Sequence, residues 1–146
     1  MRHAHRDTET GREQNNGLSK KGKHQAKYLR DSLLLIVGDR KSKLLSSPAK
    51  RCIETLTPLA KKINALIEIS IALQEQQPGE SERQFRGRVE EFVRWWTNSQ
   101  HSLLILCAHG DWIPECTKIL LGREISLQKG AFVSLEQTPR GPAVVP

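Results

Sequence analysis

The sequence has 146 residues, which is enough for one domain with a buried core, and we treat residues 1–146 as a single domain. Apolar residues make up 37% and charged residues 27%, and the apolar residues recur in clusters, which excludes a disordered chain. No apolar run reaches membrane length, and no apolar stretch follows the first residues, so we expect no membrane segment, no secretory signal and a cytoplasmic protein.

Positive charge is concentrated in the first third of the chain. The net charge is +7, and residues 1–51 hold 13 Lys and Arg against 5 Asp and Glu, whereas the remainder holds 10 against 11. Such an excess attracts nucleic acids, phosphorylated metabolites or phosphoproteins. A solvated basic face without any ligand would give the same count, so the charge alone does not show which of these ligands, if any, the protein binds.

The cysteines agree with a cytosolic protein, and no signature supports a catalytic cysteine among them. Cys52, Cys107 and Cys116 are odd in number, widely spaced and set among apolar residues. Buried free thiols are the expected outcome.

In the first half of the chain, helix and strand patterns alternate. Residues 19–37 carry apolar residues at helical spacing, with Ser19 as the N-cap, and residues 43–46 predict a short strand. Ser47 and Pro48 then predict the cap and first turn of a second helix. A strand at 65–71 follows.

The second half continues the alternation. Residues 81–98 predict the clearest helix, because one face is apolar and Ser81 with Gln84 forms a capping box. Strands alternating with helices indicate an α/β layered sheet, in which functional sites gather at the carboxyl ends of the strands. The other predicted elements are a buried strand at 103–108, a helix at 111–121, and a last strand at 132–135 paired with 144–145.

Four short motifs fall at strand ends or in the loops that follow them. These are Arg2-His3-Ala4, the segment 46–51 (Ser-Ser-Pro-Ala-Lys-Arg), Leu73-Gln74-Glu75 and Ala108-His109-Gly110. In their order and spacing they resemble the histidine phosphatase superfamily, also called the phosphoglycerate mutase-like family. The resemblance covers roughly residues 2–113.

Two further segments fit this resemblance. Leu18-Ser19-Lys20-Lys21-Gly22 matches its second element, and Pro78-Gly79-Glu80-Ser81 leading to Arg88 matches the approach to its long helix. The resemblance implies a three-layer α/β/α fold with a mostly parallel central sheet. Only Met1 precedes Arg2, so the family's first strand is expected to be absent or truncated in this chain.

The resemblance also assigns roles to residues. It implies that His3 is a nucleophile that forms a phosphohistidine, because a neutral imidazole nitrogen can attack phosphorus. Arg2 and Arg51 would grip the phosphoryl oxygens, His109 would donate to them, and Glu75 would protonate the leaving group.

Two more residues are expected to bind substrate. The backbone amide at Gly110 would favour an anion, and Arg6 could line the phosphate pocket. His3-Ala4-His5 could suggest a metal pair, but no carboxylate or cysteine spacing completes a site. We therefore expect no metal and no cofactor, with the arginine-histidine cage taking the place of a cation.

The resulting hypothesis is a metal-independent phosphatase acting on a phosphorylated small molecule or a phosphoprotein. The alternatives are a mutase-like phosphotransferase, which retains the phosphoryl group, and an inactive phospho-ligand binding protein. The register places Glu9 where mutase-type members carry asparagine, which disfavours mutase-like recognition of sugar phosphates. We expect no specific nucleic-acid binding and no membrane partner, and the oligomeric state stays open.

Overall fold

A computed structural model describes residues 1–146. Helices and strands alternate along most of the chain and are joined by loops. The strands are β1 (Ser42–Ser46), β2 (Ile67–Ile69), β3 (Leu103–Cys107), β4 (Leu135–Thr138) and β5 (Gly141–Val144), with a single 3-10 turn at Ile71–Leu73. The helices are α1 (Lys20–Val37), α2 (Lys50–Ile63), α3 (Glu82–Thr97) and α4 (Trp112–Leu121).

The central sheet is parallel and has the order β2-β1-β3, with Leu44 opposite Ile67 on one side and opposite Ile105 on the other. Side chains alternate across a strand, so successive residues of β1 face opposite layers. Leu44 packs with the apolar faces of α1 and α2, and Leu45 packs with those of α3 and α4. The predicted three-layer α/β/α fold is confirmed.

The place of a first strand is held by Met1–His3. The Met1 carbonyl oxygen accepts from the Ala108 amide at 3.0 Å, and the His3 amide donates to the Ala108 carbonyl at 3.1 Å. The only bridge along this segment is the parallel one between Arg2 and Ala108. The segment is shorter than a regular strand, as expected, but these bonds tie it to the end of β3.

Two predicted helix caps are confirmed and one is wrong. The Ser19 side chain accepts from Gly22, and Ser81 forms the full capping box with Gln84. Ser47 does not cap α2, which begins at Lys50 without a side-chain cap. Its hydroxyl contacts His109 instead, so this serine belongs to the site described below.

The last strands form an antiparallel hairpin in which Leu135 lies opposite Val144. The predicted strand at 132–135 is therefore displaced toward the carboxyl terminus. Pairing is set by the tight turn between Thr138 and Gly141, and Gly141 has the positive φ of 110° that this turn requires.

The cysteines are free and buried, as predicted. Burial raises the pKa of the Cys116 thiol to about 12, and burial also raises the pKa of Cys52. These thiols stay protonated near neutral pH and are poor nucleophiles. No helix of the structure is both long and apolar enough to cross a membrane.

Candidate active site

Four polar side chains meet at the carboxyl edge of the sheet, each from a different segment. His3 ends the segment bonded to Ala108, Arg51 lies in the first turn of α2 after β1, Glu75 follows β2 and the 3-10 turn, and His109 stands two residues after β3. Parallel strands bring these segments to one edge, which is where α/β sheets place their sites.

His3 is held as a neutral imidazole. It is 5% exposed, and its Nδ1 lies 2.8 Å from the Ala4 carbonyl oxygen. The pKa of His3 is lowered to about 3, chiefly because burial penalises the charged ring and also because the guanidinium groups of Arg51 and Arg2 lie nearby. A carbonyl can only accept, so Nδ1 carries the proton and Nε2 keeps a free lone pair.

Arg51 is the centre of the cluster. Its guanidinium is almost fully buried and donates from Nε to the His3 Nε2 at 3.4 Å and from Nη2 to the Glu75 Oε1 at 2.8 Å. The same Nη2 lies 3.2 Å from the His109 Nδ1. A phosphoryl group entering between these groups would find donors already fixed in position.

His109 is fixed on both sides of its ring. Its Nε2 lies 2.8 Å from the Ser47 hydroxyl, and its Nδ1 faces Arg51 and the Glu75 Oε2, the latter at 3.7 Å. Its ring centroid is 5.5 Å from that of His3. In the neutral ring Nδ1 accepts from Arg51 and Nε2 donates to Ser47, so donation from Nδ1 to a phosphoryl oxygen requires the doubly protonated ring.

Arg2 lies beside this cluster rather than in it. Its Nη1 donates to the Leu127 carbonyl at 2.9 Å, and its Nε is buried without a hydrogen-bond partner. A Cβ added to Gly110 would lie 2.7 Å from the Arg2 Cζ, so the missing side chain of Gly110 leaves room for this guanidinium. Arg2 nevertheless lies close enough for its charge to depress the pKa of His3.

A polar cleft of about 280 Å³ opens onto the cluster. Arg6, Arg51, Glu75 and His109 are among its lining residues, together with Arg12, whereas His3, Arg2 and Gly110 are not. A larger cavity of about 770 Å³ lies between β3 and the β4–β5 hairpin, but its walls are mostly apolar. Phosphoryl transfer needs fixed charges, so the smaller cleft is the candidate site.

Two further residues support the site without having been predicted. The Thr55 hydroxyl accepts from the Ala4 amide at 2.9 Å and donates to the Arg51 carbonyl at 2.6 Å, which ties the His3 segment to α2. Thr55 follows Arg51 by one helical turn, and this spacing is the signal that could have identified it. Ser47, which orients His109, lies in the motif 46–51 but was given no role in the site beyond that of a helix cap.

No group of three or more His, Cys, Asp or Glu side chains is arranged to hold a metal ion. The side chains that meet at the site are two histidines, one arginine and one carboxylate.

Solved structures share this fold. A candidate alpha-ribazole-5'-P phosphatase from Escherichia coli K-12 is 15% identical, with a TM-score of 0.84 and coverage of 99% of this chain and 92% of that chain. A mutant phosphoserine phosphatase from Entamoeba histolytica, in complex with phosphoserine, is 13% identical, with a TM-score of 0.74 and coverage of 99% and 92%. A mycobacterial glucosyl-3-phosphoglycerate phosphatase with inorganic phosphate is 17% identical, with a TM-score of 0.71 and coverage of 92% and 86%.

Sequence comparison agrees with the fold. No curated protein matches the chain by sequence. The family model of the histidine phosphatase superfamily (branch 1) matches residues 1–82, which is more than half of the chain and includes His3, Arg51 and Glu75. The chain belongs to the histidine phosphatase superfamily, branch 1.

Proposed function

We propose that the protein is a metal-independent phosphatase that hydrolyses a phosphomonoester or a phosphoprotein through a phosphohistidine on His3. The observation that carries the proposal is the state of the His3 ring. Its Nδ1–H is bound to the Ala4 carbonyl, and its Nε2 lone pair faces Arg51. A buried, neutral and oriented imidazole has the properties that a nucleophile needs.

In the first step, the His3 Nε2 lone pair attacks phosphorus and forms a P–N bond. The bond from phosphorus to the leaving oxygen breaks, and its electron pair stays on that oxygen. Protonated Glu75 supplies the proton that the oxygen then needs, while Arg51 and His109 neutralise charge on the equatorial oxygens. Arg2, whose charge reaches the His3 ring, would add to this neutralisation.

In the second step, water attacks the phosphohistidine. Ionised Glu75 accepts a proton from the water, the P–N bond breaks, and its electron pair returns to Nε2. The sum of the two steps is one phosphomonoester and one water converted to one alcohol and one inorganic phosphate. Because arginine and histidine neutralise the charge, the proposal requires no metal.

The substrate class is supported by the cleft and by the neighbours. Arg6 and Arg12 line the same cleft as Arg51, which favours an anionic substrate. Gly110 does not line this cleft, but it follows the lining residue His109, and its amide remains a candidate for anion binding. Two of the structural neighbours are phosphatases named for phosphoserine and for glucosyl-3-phosphoglycerate. A small phosphorylated molecule is therefore the first substrate class to test.

A phospho-ligand binding protein without turnover is the second candidate. It is favoured by one observation: His3 is buried, and its Nε2 already receives an N–H of Arg51 at 3.4 Å. Turnover requires the incoming phosphoryl group to take over this contact. A protein in which Arg51 never releases Nε2 would bind phosphate but not react.

The test measures release of inorganic phosphate from 4-nitrophenyl phosphate by the wild type, by His3→Ala and by the matched control His24→Ala, whose side chain is exposed. We expect His3→Ala to lose activity by at least about a thousandfold, whereas His24→Ala and added chelator leave it unchanged. Equal activity in His3→Ala would exclude the mechanism. Phosphate binding by the wild type without phosphate release would favour the binding protein, and transfer to an acceptor would favour a mutase.

A further inference from the structure

The guanidinium of Arg88 on α3 uses all five of its N–H groups. Its Nε and Nη2 bind the two carboxylate oxygens of Glu80 at 3.0 and 2.7 Å. Its Nη1 donates to the carbonyls of Ala72 at 3.0 Å and Gln74 at 2.8 Å, and Nη2 also donates to the carbonyl of Glu75 at 3.1 Å. A fully occupied fork of this kind holds its partners in a single geometry.

These partners all belong to the loop that carries Glu75. The loop runs from the 3-10 turn to α3, and its residues 72–80 wrap around the guanidinium. The Glu75 backbone is thus fixed on one side by Arg88, while its side chain reaches the other way to the Arg51 Nη2 at 2.8 Å. Three successive anchors on the backbone leave the carboxyl group little freedom to leave the cleft.

We propose that Arg88 is the positioning residue for Glu75, and that Glu80 is the counter-ion that holds Arg88 in place. This inference rests on the proposed function only for the part that Glu75 plays in catalysis. Arg88 touches neither the cleft nor the other site residues. It acts by placing the proton donor at the distance from the leaving group that general acid catalysis needs.

The ion pair between Arg88 and Glu80 is largely shielded from water. The Arg88 and Glu80 side chains are only 18% and 16% exposed, so water competes weakly with their contact. The Arg88 guanidinium also lies over the Phe85 ring at 5.1 Å. The hydrogen bond from Arg88 lowers the pKa of Glu80, which keeps its carboxylate ionised. Lysine has three donors around one point and cannot reproduce this fork.

The first experiment compares Arg88→Lys with Arg86→Lys, a control on the same helix whose guanidinium is half exposed and binds Glu115 on α4. Each is assayed with 4-nitrophenyl phosphate, whose leaving group needs no proton, and with phenyl phosphate, whose leaving group does. We expect Arg88→Lys to lower kcat on phenyl phosphate about tenfold or more and on 4-nitrophenyl phosphate less than about threefold, with KM little changed. A purely structural role would lower both rates by the same factor.

The second experiment separates this inference from the proposed function. In a Glu75→Gln background, Arg88→Lys should have no further effect on phenyl phosphate, because the group that it positions is gone. Amide hydrogen exchange in residues 72–80 should be faster in Arg88→Lys than in the wild type, whatever the activity. Glu80→Gln should reproduce both effects more weakly, which covers the case in which Arg88→Lys folds poorly.

The outcomes are distinguishable. Faster exchange in residues 72–80 with no effect of Glu75→Gln on rate would show that Arg88 orders this loop but that Glu75 has no part in the mechanism. Unchanged exchange, or equal loss of rate on both substrates, would overturn the role of Arg88, because Asp111 and Trp112, which also bind this loop, would then suffice to hold it.

Discussion

His3 shows how burial prepares a nucleophile. Removing an imidazole from water penalises its charged form, and the neighbouring guanidinium of Arg51 adds to the penalty. The Ala4 carbonyl then selects the tautomer by binding Nδ1–H, which leaves the other nitrogen free. Charge state and orientation therefore come from two separate features, burial and one hydrogen bond.

The depressed pKa of His3 predicts a pH-dependent stability. In the unfolded chain His3 binds a proton below its ordinary pKa of 6.5, whereas in the folded chain it stays neutral down to about pH 3. As the pH falls through this window the unfolded state gains the proton first, so stability falls by up to about 1.4 kcal/mol per pH unit. His3→Asn, which keeps a donor for the Ala4 carbonyl but does not titrate, should remove this contribution.

The measurement is the free energy of unfolding in urea, for the wild type and for His3→Asn, at several values between about pH 7.5 and about pH 4.5. Other groups titrate in both proteins, so the difference between the two curves isolates His3. We expect the free energy of unfolding of the wild type to decrease more than that of the variant as the pH falls. Parallel curves would show that His3 is not held neutral.

Sequence reasoning identified the site residues themselves and missed the residues that hold them in position. His3, Arg51, Glu75 and His109 were predicted, and the structure brings them together. Ser47 was misassigned because a serine before proline is also the usual pattern of a helix start. Its partner His109 lies 62 positions along the chain, and nothing local to Ser47 indicates that contact.

At the scale of elements, α1 fixes the segment that carries His3. The amide and the hydroxyl of Ser19 both donate to the His5 carbonyl, at 3.0 and 3.2 Å. A Cβ added at Gly22 would lie 2.0 Å from the same carbonyl oxygen, so only glycine lets α1 approach this closely. The start of α1 and the nucleophile segment therefore form one packed unit.

This contact predicts opposite effects for two glycine substitutions in helices. Gly22→Ala should destabilise the fold by about 1–3 kcal/mol and lower activity, because the His5 backbone has to shift. Gly87→Ala in α3 meets nothing within 4 Å and should stabilise the fold by about 0.5–1 kcal/mol through helix propensity. Urea unfolding with 4-nitrophenyl phosphate assays checks both. Equal stability of the two variants would contradict the close approach of α1.

The elements themselves were largely predictable, and their ends were less so. The α1 and α3 helices have apolar stripes together with side-chain caps, and both begin where predicted. In contrast, the apolar run 132–135 predicts the last strand too early in the chain, because the pairing of β4 with β5 is set by the turn between them. A short apolar run shows burial but does not reveal its hydrogen-bond register.

At the scale of the whole molecule, the strand topology brings the site residues together. Parallel strands in the order β2-β1-β3 bring loops that are far apart in sequence to one edge. Positive charge gathers at the same edge. Partial burial lowers the pKa of Lys129, and the nearby cations Arg12, Arg2 and Arg6 lower it further. A basic cleft mouth of this kind attracts anionic substrates.

The most direct test of the account is to trap the intermediate. The wild type is mixed with 4-nitrophenyl phosphate, quenched in alkali within milliseconds, digested and analysed by mass spectrometry. We expect one phosphoryl group on the peptide that contains His3, lost on acid treatment and absent from His3→Ala. Turnover by the wild type with no phosphoryl group on His3 at any quench time, or with the group on another residue, would contradict the central claim.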